Sequence, residues 1–202
     1  MGLLTGAVSF VRYKVEEDKL PENFWSFADD RIRAHSFRDI DDNYEEYSIG
    51  WVSILNMFES DLAPPSYAVG DYLVLSLRID ERKVAPVLLK KFCQKEEERI
   101  KKEKGRPRLS RTERLEIKER VHLMLLKKAM PLPAVFDMSW NLSEGTVLFF
   151  SNNQKAREKF EEFFKKTFEL TVSLQIPFLT AGHLLDPAEA EILDQLSPCI
   201  LI

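Results

Sequence analysis

The chain has few of the residues that support covalent or metal-centred chemistry. Its two cysteines, Cys93 and Cys199, are too few for a disulfide framework. Its three histidines, His35, His122 and His183, are isolated in the sequence and lack the spacing of metal ligands. There is no P-loop, no GxGxxG fingerprint and no GxSxG motif. We therefore expect no catalytic residues, no cofactor and no metal.

Long apolar runs are also missing. No stretch reaches the roughly 18 apolar residues that suggest a membrane-spanning helix. The first residues lack the positive region of a secretory signal. These features predict a cytoplasmic protein without membrane contact.

One acidic stretch contains Asp39, Asp41 and Asn43, which stand at the spacing of a calcium-binding loop. However, Tyr44 occupies the position that needs glycine, and Gly50 the position that needs glutamate. We therefore reject a calcium site. We expect this stretch to form solvated turns, so a metal-dependent nuclease that uses its carboxylates ranks last among the functions considered.

Positive charge is concentrated in residues 90–128. This segment holds 15 of the 29 Lys and Arg residues and 7 of the 33 Asp and Glu residues, so its net charge is +8. The remainder, with 14 basic and 26 acidic residues, has a net charge of −12. A mildly acidic protein that concentrates its positive charge in one place suits a polyanionic partner.

The same segment predicts two helices separated by a break. Pro86 suits the first turn of the first helix, and Gly105 followed by Pro107 ends that helix. Ser110 and Glu113 have the spacing of a capping box that opens the second helix. The pattern therefore predicts a helical hairpin that is rooted in a core and projects a charged tip.

Four arginines surround the break, with Glu113 as the only acid among them. Guanidinium groups match phosphate oxygens, and no Tyr or Phe lies near the tip to stack on bases, so we predict backbone contact with duplex DNA. Seven glutamates are interleaved with the cations of residues 90–128, so a helix face that is simply solvated is an alternative interpretation of the charge. The predicted DNA-binding residues are Lys104, Arg106, Arg108, Arg111, Arg114, Lys118, Lys127 and Lys128.

Strand and helix patterns lie on both sides of the hairpin. Before it, the patterns predict a helix from Pro21 and strands at 48–55 and 71–79. After it, they predict a helix capped at residues 151–153, a strand that Pro177 ends and a short helix from Asp186. The predicted buried stripe of the capped helix is Ala156, Phe160, Phe163, Phe164 and Phe168.

The order of these patterns is β-α-β-β, hairpin, β-β-α-β and a last helix, which predicts an α+β protein. We expect two related small antiparallel-sheet and helix modules with the projecting hairpin inserted between them. The predicted division is 1–86 for the first module, 87–130 for the hairpin and 131–202 for the second module with a short C-terminal helix.

Six short motifs occur in the order of one known family. They are Gly50-Trp51-Val52, the segment Lys83 to Leu88, the basic turn Arg108 to Arg114, the segment Leu125 to Met130, Trp140 with Gly145 to Ser151 and Lys155-Ala156, and Pro177 to Thr180. Through these motifs the chain resembles RdgC, a bacterial recombination-associated family, over about residues 45–183. It is similar to a shortened member without the family's C-terminal base region.

The resemblance implies two related modules with a helical tip. It implies a ring-shaped homodimer that encircles duplex DNA without sequence preference and limits loading of the RecA recombinase. Established catalytic activity is not a property of the family. By resemblance, Arg106, Arg108, Arg111 and Arg114 lie at or near the tip, and Met130 replaces a phenylalanine at a self-association contact.

These inferences lead to one main hypothesis and one alternative. The main hypothesis is a non-enzymatic, sequence-nonspecific duplex DNA-binding protein that is nucleoid-associated and limits RecA access. The alternative is a protein-interaction module whose basic hairpin docks an acidic partner without binding DNA.

Overall fold

A computed structural model of the chain describes residues 2–4, 8–16 and 23–186. Within these residues the fold mixes strands and helices, so the predicted α+β class is confirmed. The strands are β1 (Val11–Val15), β2 (Tyr47–Val52), β3 (Ala68–Val69), β4 (Tyr72–Arg82), β5 (Pro131–Asn141), β6 (Thr146–Phe149) and β7 (Val172–Leu174). The helices are α1 (Phe24–Ala34), α2 (Pro64–Tyr67), α3 (Pro86–Lys104), α4 (Arg111–Lys128), α5 (Gln154–Phe168) and α6 (Pro177–Leu184).

The strands form one antiparallel sheet in the order β2-β4-β5-β6-β1-β7, with β3 paired to β4. Strand β1 pairs with both β6 and β7, so Tyr13 lies opposite Val147 on one side and Leu174 on the other. Strands that were assigned to two separate modules therefore share a single sheet.

Contacts within the chain group its residues into two compact units, each discontinuous in sequence. The first comprises Met1–Ser36, Trp51–Leu77 and Phe136–Ile202, and the second comprises Phe37–Gly50 and Arg78–Val135. The division predicted from the sequence differs, because it cuts the chain at residues 86 and 130 into three continuous segments. The two groupings differ because β2, β4 and β5 each continue from one unit into the other.

The core of the first unit is aromatic. Helix α5 buries the whole stripe predicted for it, which is Ala156, Phe160, Phe163, Phe164 and Phe168. Asn153 caps this helix by accepting a hydrogen bond from the amide of Ala156 at 3.2 Å, as its sequence predicted. The Phe160 ring stacks on Phe149 with centroids 4.3 Å apart. Large rings of this kind supply most of the apolar area that stabilises a small core.

In the second unit, the acidic stretch after α1 is fastened to β4 by a buried arginine. Arg82 donates hydrogen bonds to the backbone oxygens of Ile40 (2.7 Å), Asn43 (2.9 Å) and Glu45 (2.9 Å), and also to that of Ala129. The side chains of residues 38–46 other than Ile40 are exposed and residues 41–43 form a turn, so the expected solvated turns are confirmed. Their anchoring by Arg82 gives the stretch a structural role, because the acceptors are backbone oxygens.

A second arginine on β4 is also buried. Arg78 makes a two-pronged contact with Asp80, at 2.9 Å and 2.7 Å, and lies 4.2 Å from the centre of the Phe37 ring. The hydrogen bonds that Arg78 donates to Asp80 raise the pKa of Arg78 above its ordinary value. Both partners of this pair are almost fully buried, so neither is available to a ligand.

Several predicted boundaries shift. The strand predicted for 71–79 continues to Arg82, and the strand predicted for 48–55 ends at Val52. Pro177 was expected only to end a strand, but it is the first residue of α6, a position where its missing N–H has no partner to lose. The helix start predicted at Pro21, the helix predicted after Asp186 and Cys199 lie outside the described residues.

Candidate nucleic-acid interface

Helices α3 and α4 form an antiparallel hairpin with a small apolar core of its own. Leu109, Ile117 and Val121 are buried, and five half-buried side chains pack against them. These five are Leu89, Phe92, Cys93, Ile100 and Leu125. The core uses one side of each helix, so the remaining sides carry the charged residues into solvent.

The turn between the two helices is fixed at both ends, as the sequence predicted. Gly105 ends α3 in the left-handed conformation with φ of 61°. The Ser110 hydroxyl accepts a hydrogen bond from the amide of Glu113, and the Glu113 carboxylate accepts one from the amide of Ser110. Arg106 and Arg108 therefore stand on a short loop with defined ends.

Ion pairs neutralise some of the hairpin's cations. Glu96 accepts from Arg99 at 2.7 Å and, across the hairpin, from Arg120 at 2.6 Å. Arg99 also binds Glu103 at 2.6 Å. Hydrogen bonding to Arg99, with the charge of Arg120, lowers the pKa of Glu96. Arg99 and Arg120 are therefore largely committed within the hairpin.

A second cross-hairpin pair joins the two ends of the turn. Lys104 lies 2.6 Å from Glu113. The hydrogen bond from Lys104, followed by that from the Ser110 amide, lowers the pKa of Glu113 to about 2. Of the eight predicted DNA-binding residues, Lys104 is thus the one whose charge is already paired.

The other seven predicted residues are exposed cations. In the described part of the chain, no carboxylate oxygen lies within the 4.0 Å of an ion pair from any of them. Lys127 has an aromatic neighbour, since its Nζ lies 5.6 Å from the centre of the Tyr44 ring. The seven are Arg106, Arg108, Arg111, Arg114, Lys118, Lys127 and Lys128.

Two grooves run along the hairpin and separate these cations. The first, which we call the Leu115 groove, has a volume of about 510 Å³ and contains Arg111, Arg114 and Lys118. The second, the Arg120 groove, has a volume of about 670 Å³ and contains Lys128 together with the paired Arg99 and Arg120. Sequence reasoning missed both grooves, because they depend on how α3 and α4 are offset along each other.

The comparison with protein families identifies the chain. A family described as "Putative exonuclease, RdgC" matches residues 12–181, which includes the whole hairpin. The chain belongs to the RdgC family. The resemblance carried by its short motifs is therefore confirmed, and membership supports a role related to recombination. A comparison with curated proteins found no match.

Met130, the predicted self-association residue of this RdgC chain, follows α4 and is 82% exposed. Leu132, two residues later, is also exposed. These side chains are accessible, and self-association through Met130 remains a prediction.

The carboxylates considered for a nuclease have other contacts in this RdgC chain. Asp39 accepts a hydrogen bond from the amide of Asp41 at 2.7 Å and lies 3.9 Å from Arg78. Among the residues that the structure describes, no three His, Cys, Asp or Glu side chains are grouped as metal ligands. No helix in the same residues has the length and apolarity to cross a bilayer.

The structure shows the surroundings of His35 and Cys93, two residues named in the sequence analysis. His35 lies at the end of α1, where its Nδ1 is 2.9 Å from the backbone oxygen of Arg31 and its ring packs edge-on against Phe163. Burial in the hairpin core raises the pKa of the Cys93 thiol, which disfavours the thiolate form.

Proposed function

We propose that this RdgC-family chain is a non-enzymatic protein that binds duplex DNA without sequence preference through its basic hairpin. The observation that carries the proposal is the set of seven exposed cations that have no carboxylate partner among the described residues. Three of the segment's seven glutamates, Glu96, Glu103 and Glu113, pair with other cations, namely Arg99, Lys104 and Arg120. The positive charge at the turn and along α4 is therefore available to phosphate.

The residue types favour the DNA backbone over the bases. Arginine presents a planar fork of donors that fits phosphate oxygens. Residues 105–128 contain no Phe, Tyr or Trp, so the turn and α4 supply no ring of their own on which a base could stack; the Tyr44 ring beside Lys127 belongs to the acidic stretch. Contacts of this kind carry no sequence information, which supports nonspecific binding.

We further propose that binding serves recombination by limiting RecA access to DNA, in a protein that is nucleoid-associated. Family membership and the recombination-related role that it supports are the reasons for this part. Self-association through the exposed Met130 would place two hairpins on one duplex and raise avidity without new contacts.

The test is a titration of fluorescent duplex DNA with the full chain at several salt concentrations. Each phosphate contact contributes about −0.9 to the log–log slope, so the four arginines at the turn contribute about −4. Reversing Arg106, Arg108, Arg111 and Arg114 to Glu should abolish this salt-sensitive binding. The control reverses Lys165 and Lys166, two exposed lysines of α5, and should bind normally.

Two results would overturn the proposal. Unchanged affinity in the four-arginine variant would move the DNA site away from the turn. Shortening of end-labelled duplex in the presence of Mg²⁺ or Mn²⁺ would contradict the non-enzymatic part, and loss of that activity in Asp39→Asn would locate the nuclease.

A further inference from the structure

The Leu115 groove has an apolar floor, which contact with DNA phosphates would not require. The Leu115 groove is lined by apolar side chains, among them Leu89, Cys93, Leu109 and Leu115. Leu115 is 51% exposed although it stands on a highly charged helix. A single exposed leucine is ordinary, but Leu115 shares its groove with Leu89, Cys93 and Leu109, and phosphate contact gives no use for such an apolar patch. A ligand with apolar side chains would cover it.

The rim of the same groove is strongly basic. Lys90, Arg111, Arg114 and Lys118 surround the apolar floor, with Glu97 as the only acid in the lining. None of the four cations has a carboxylate within ion-pair distance among the described residues. The Arg120 groove differs, because Glu96 and Glu98 lie in it and its two arginines are bound to Glu96. The linings of the two grooves have the same net charge of +3, so the Leu115 groove differs in that its two arginines, Arg111 and Arg114, have no carboxylate partner among the described residues and can bind an anionic ligand.

The length of the groove indicates the kind of ligand. Its lining on α3 runs from Pro86 to Glu97, which is three helical turns or about 16 Å. An amphipathic helix of about 11 residues has this length and presents apolar side chains at positions i, i+3, i+4 and i+7. With Asp and Glu beside that stripe, it would place carboxylates next to the rim cations.

We propose that the Leu115 groove docks an acidic amphipathic helix of a partner protein. Arg111 and Arg114 belong both to this groove and to the proposed DNA surface, whereas Arg106 and Arg108 do not line the groove. One part of this inference rests on the proposed function: because the helix and DNA would share Arg111 and Arg114, a docked helix would displace DNA. The groove would then be the place where a protein partner regulates DNA binding.

The first experiment uses a synthetic, fluorescein-labelled peptide of about 14 residues, with leucines at i, i+3, i+4 and i+7 and Glu or Asp between them. Its control replaces the leucines by serines and keeps the charge. Fluorescence anisotropy with the full chain should show saturable binding of the leucine peptide at about 0.15 M salt, and at least tenfold weaker binding of the serine peptide. Equal binding of the two peptides would overturn the proposal, since charge alone would then explain it.

Matched variants locate the site. Leu115→Gln should weaken leucine-peptide binding at least tenfold, while Leu123→Gln should not change it. Leu123 lies on the same helix and is 53% exposed, but it is outside the groove lining. Because both leucines are half exposed, we expect both variants to fold, and circular dichroism checks this. Equal effects of the two substitutions would contradict a specific groove.

The remaining experiments distinguish peptide binding in the groove from DNA binding. They also distinguish a partner helix from a second copy of the chain as the ligand of the groove. In the wild-type chain, the leucine peptide should displace labelled duplex. Arg106→Glu with Arg108→Glu should weaken DNA binding and leave peptide binding intact. Peptide binding without any DNA binding would sustain the groove and refute the proposed function, and the reverse result would refute the groove alone. If Leu115→Gln instead dissociates a dimer in sedimentation, the occupant is a second copy and the proposal fails.

Discussion

Replacing Arg82 by methionine should release the acidic stretch from β4. The substitution keeps most of the side-chain volume and removes the donors that hold the backbone oxygens of Ile40, Asn43 and Glu45. Arg82 itself is 8% exposed, so its guanidinium is confined among these acceptors and that of Ala129. No other change of one residue removes as many of the contacts that the structure shows for this stretch.

The magnitude follows from the burial of each bond. The bond to Ile40 is buried, and its loss leaves an unsatisfied oxygen at a cost of about 2 kcal/mol. The bonds to Glu45, Asn43 and Ala129 are partly exposed, and about 1 kcal/mol each is appropriate because water replaces part of the lost interaction. Release of the desolvated charge offsets some of this loss. We expect a net decrease of about 3–5 kcal/mol in the free energy of unfolding.

Urea denaturation followed by circular dichroism measures the free energy, and hydrogen exchange of residues 37–46 measures the local effect. The matched control is Arg38→Met, which removes an exposed arginine from the stretch itself. A loss below about 1 kcal/mol in Arg82→Met, with unchanged amide protection of residues 37–46, would refute the reasoning. It would mean that the stretch is held by other contacts.

Three further predictions concern the hairpin and the aromatic core. The folded-state pKa of Glu113 is depressed to about 2, so its stabilising effect should be present above about pH 4.5 and lost as the pH falls from 4.5 to 2. Acid titration followed by circular dichroism should therefore show a smaller loss of stability in Glu113→Gln than in the wild type. Gly105→Ala should destabilise by about 1 kcal/mol because φ is 61° there and no atom lies within 4 Å to clash; no change in thermal melting would contradict the strain. Phe160→Ala should cost about 3–5 kcal/mol, since the side chain is fully buried and stacked on Phe149; urea denaturation would contradict this if the loss were below 1 kcal/mol.

Local signals account for the parts of the fold that the sequence predicted well. The capping box at Ser110, the end of α3 at Gly105 and the buried stripe of α5 each depend on residues within a few positions of one another. Such patterns follow directly from backbone geometry and helical periodicity. They placed the hairpin and its turn close to their observed bounds.

Long-range partners account for what the sequence did not show. Arg82 is an ordinary strand residue by pattern, and nothing nearby indicates that its acceptors lie about 40 positions earlier. The choice of Arg120 as a partner of Glu96 likewise depends on the offset between α3 and α4. The whole of α6 was missed for a different reason, since Pro177 can end one element or begin another.

The candidate site shows why a charge count is an incomplete description of a basic segment. The net charge of +8 suggests a uniformly positive hairpin, but its glutamates are not spread evenly over its cations. Glu96 and Glu113 lie where they bind Arg99, Arg120 and Lys104, which leaves Arg106 and Arg108 unpaired on the turn. Sequence could identify the arginines, whereas their availability depends on which carboxylates the fold brings beside them.

The uneven pairing of the hairpin's cations also separates the two proposed binding activities, for DNA and for a protein partner. The sequence offered these only as alternatives. Arg106 and Arg108 on the turn do not line the Leu115 groove, so they suit contact with phosphate without an apolar neighbour from that groove. Arg111 and Arg114 border leucines as well, so they suit a ligand that brings both carboxylates and apolar side chains. A protein partner and DNA would then meet at these two residues, and mutating the turn should separate the two binding activities while mutating Arg111 and Arg114 should affect both.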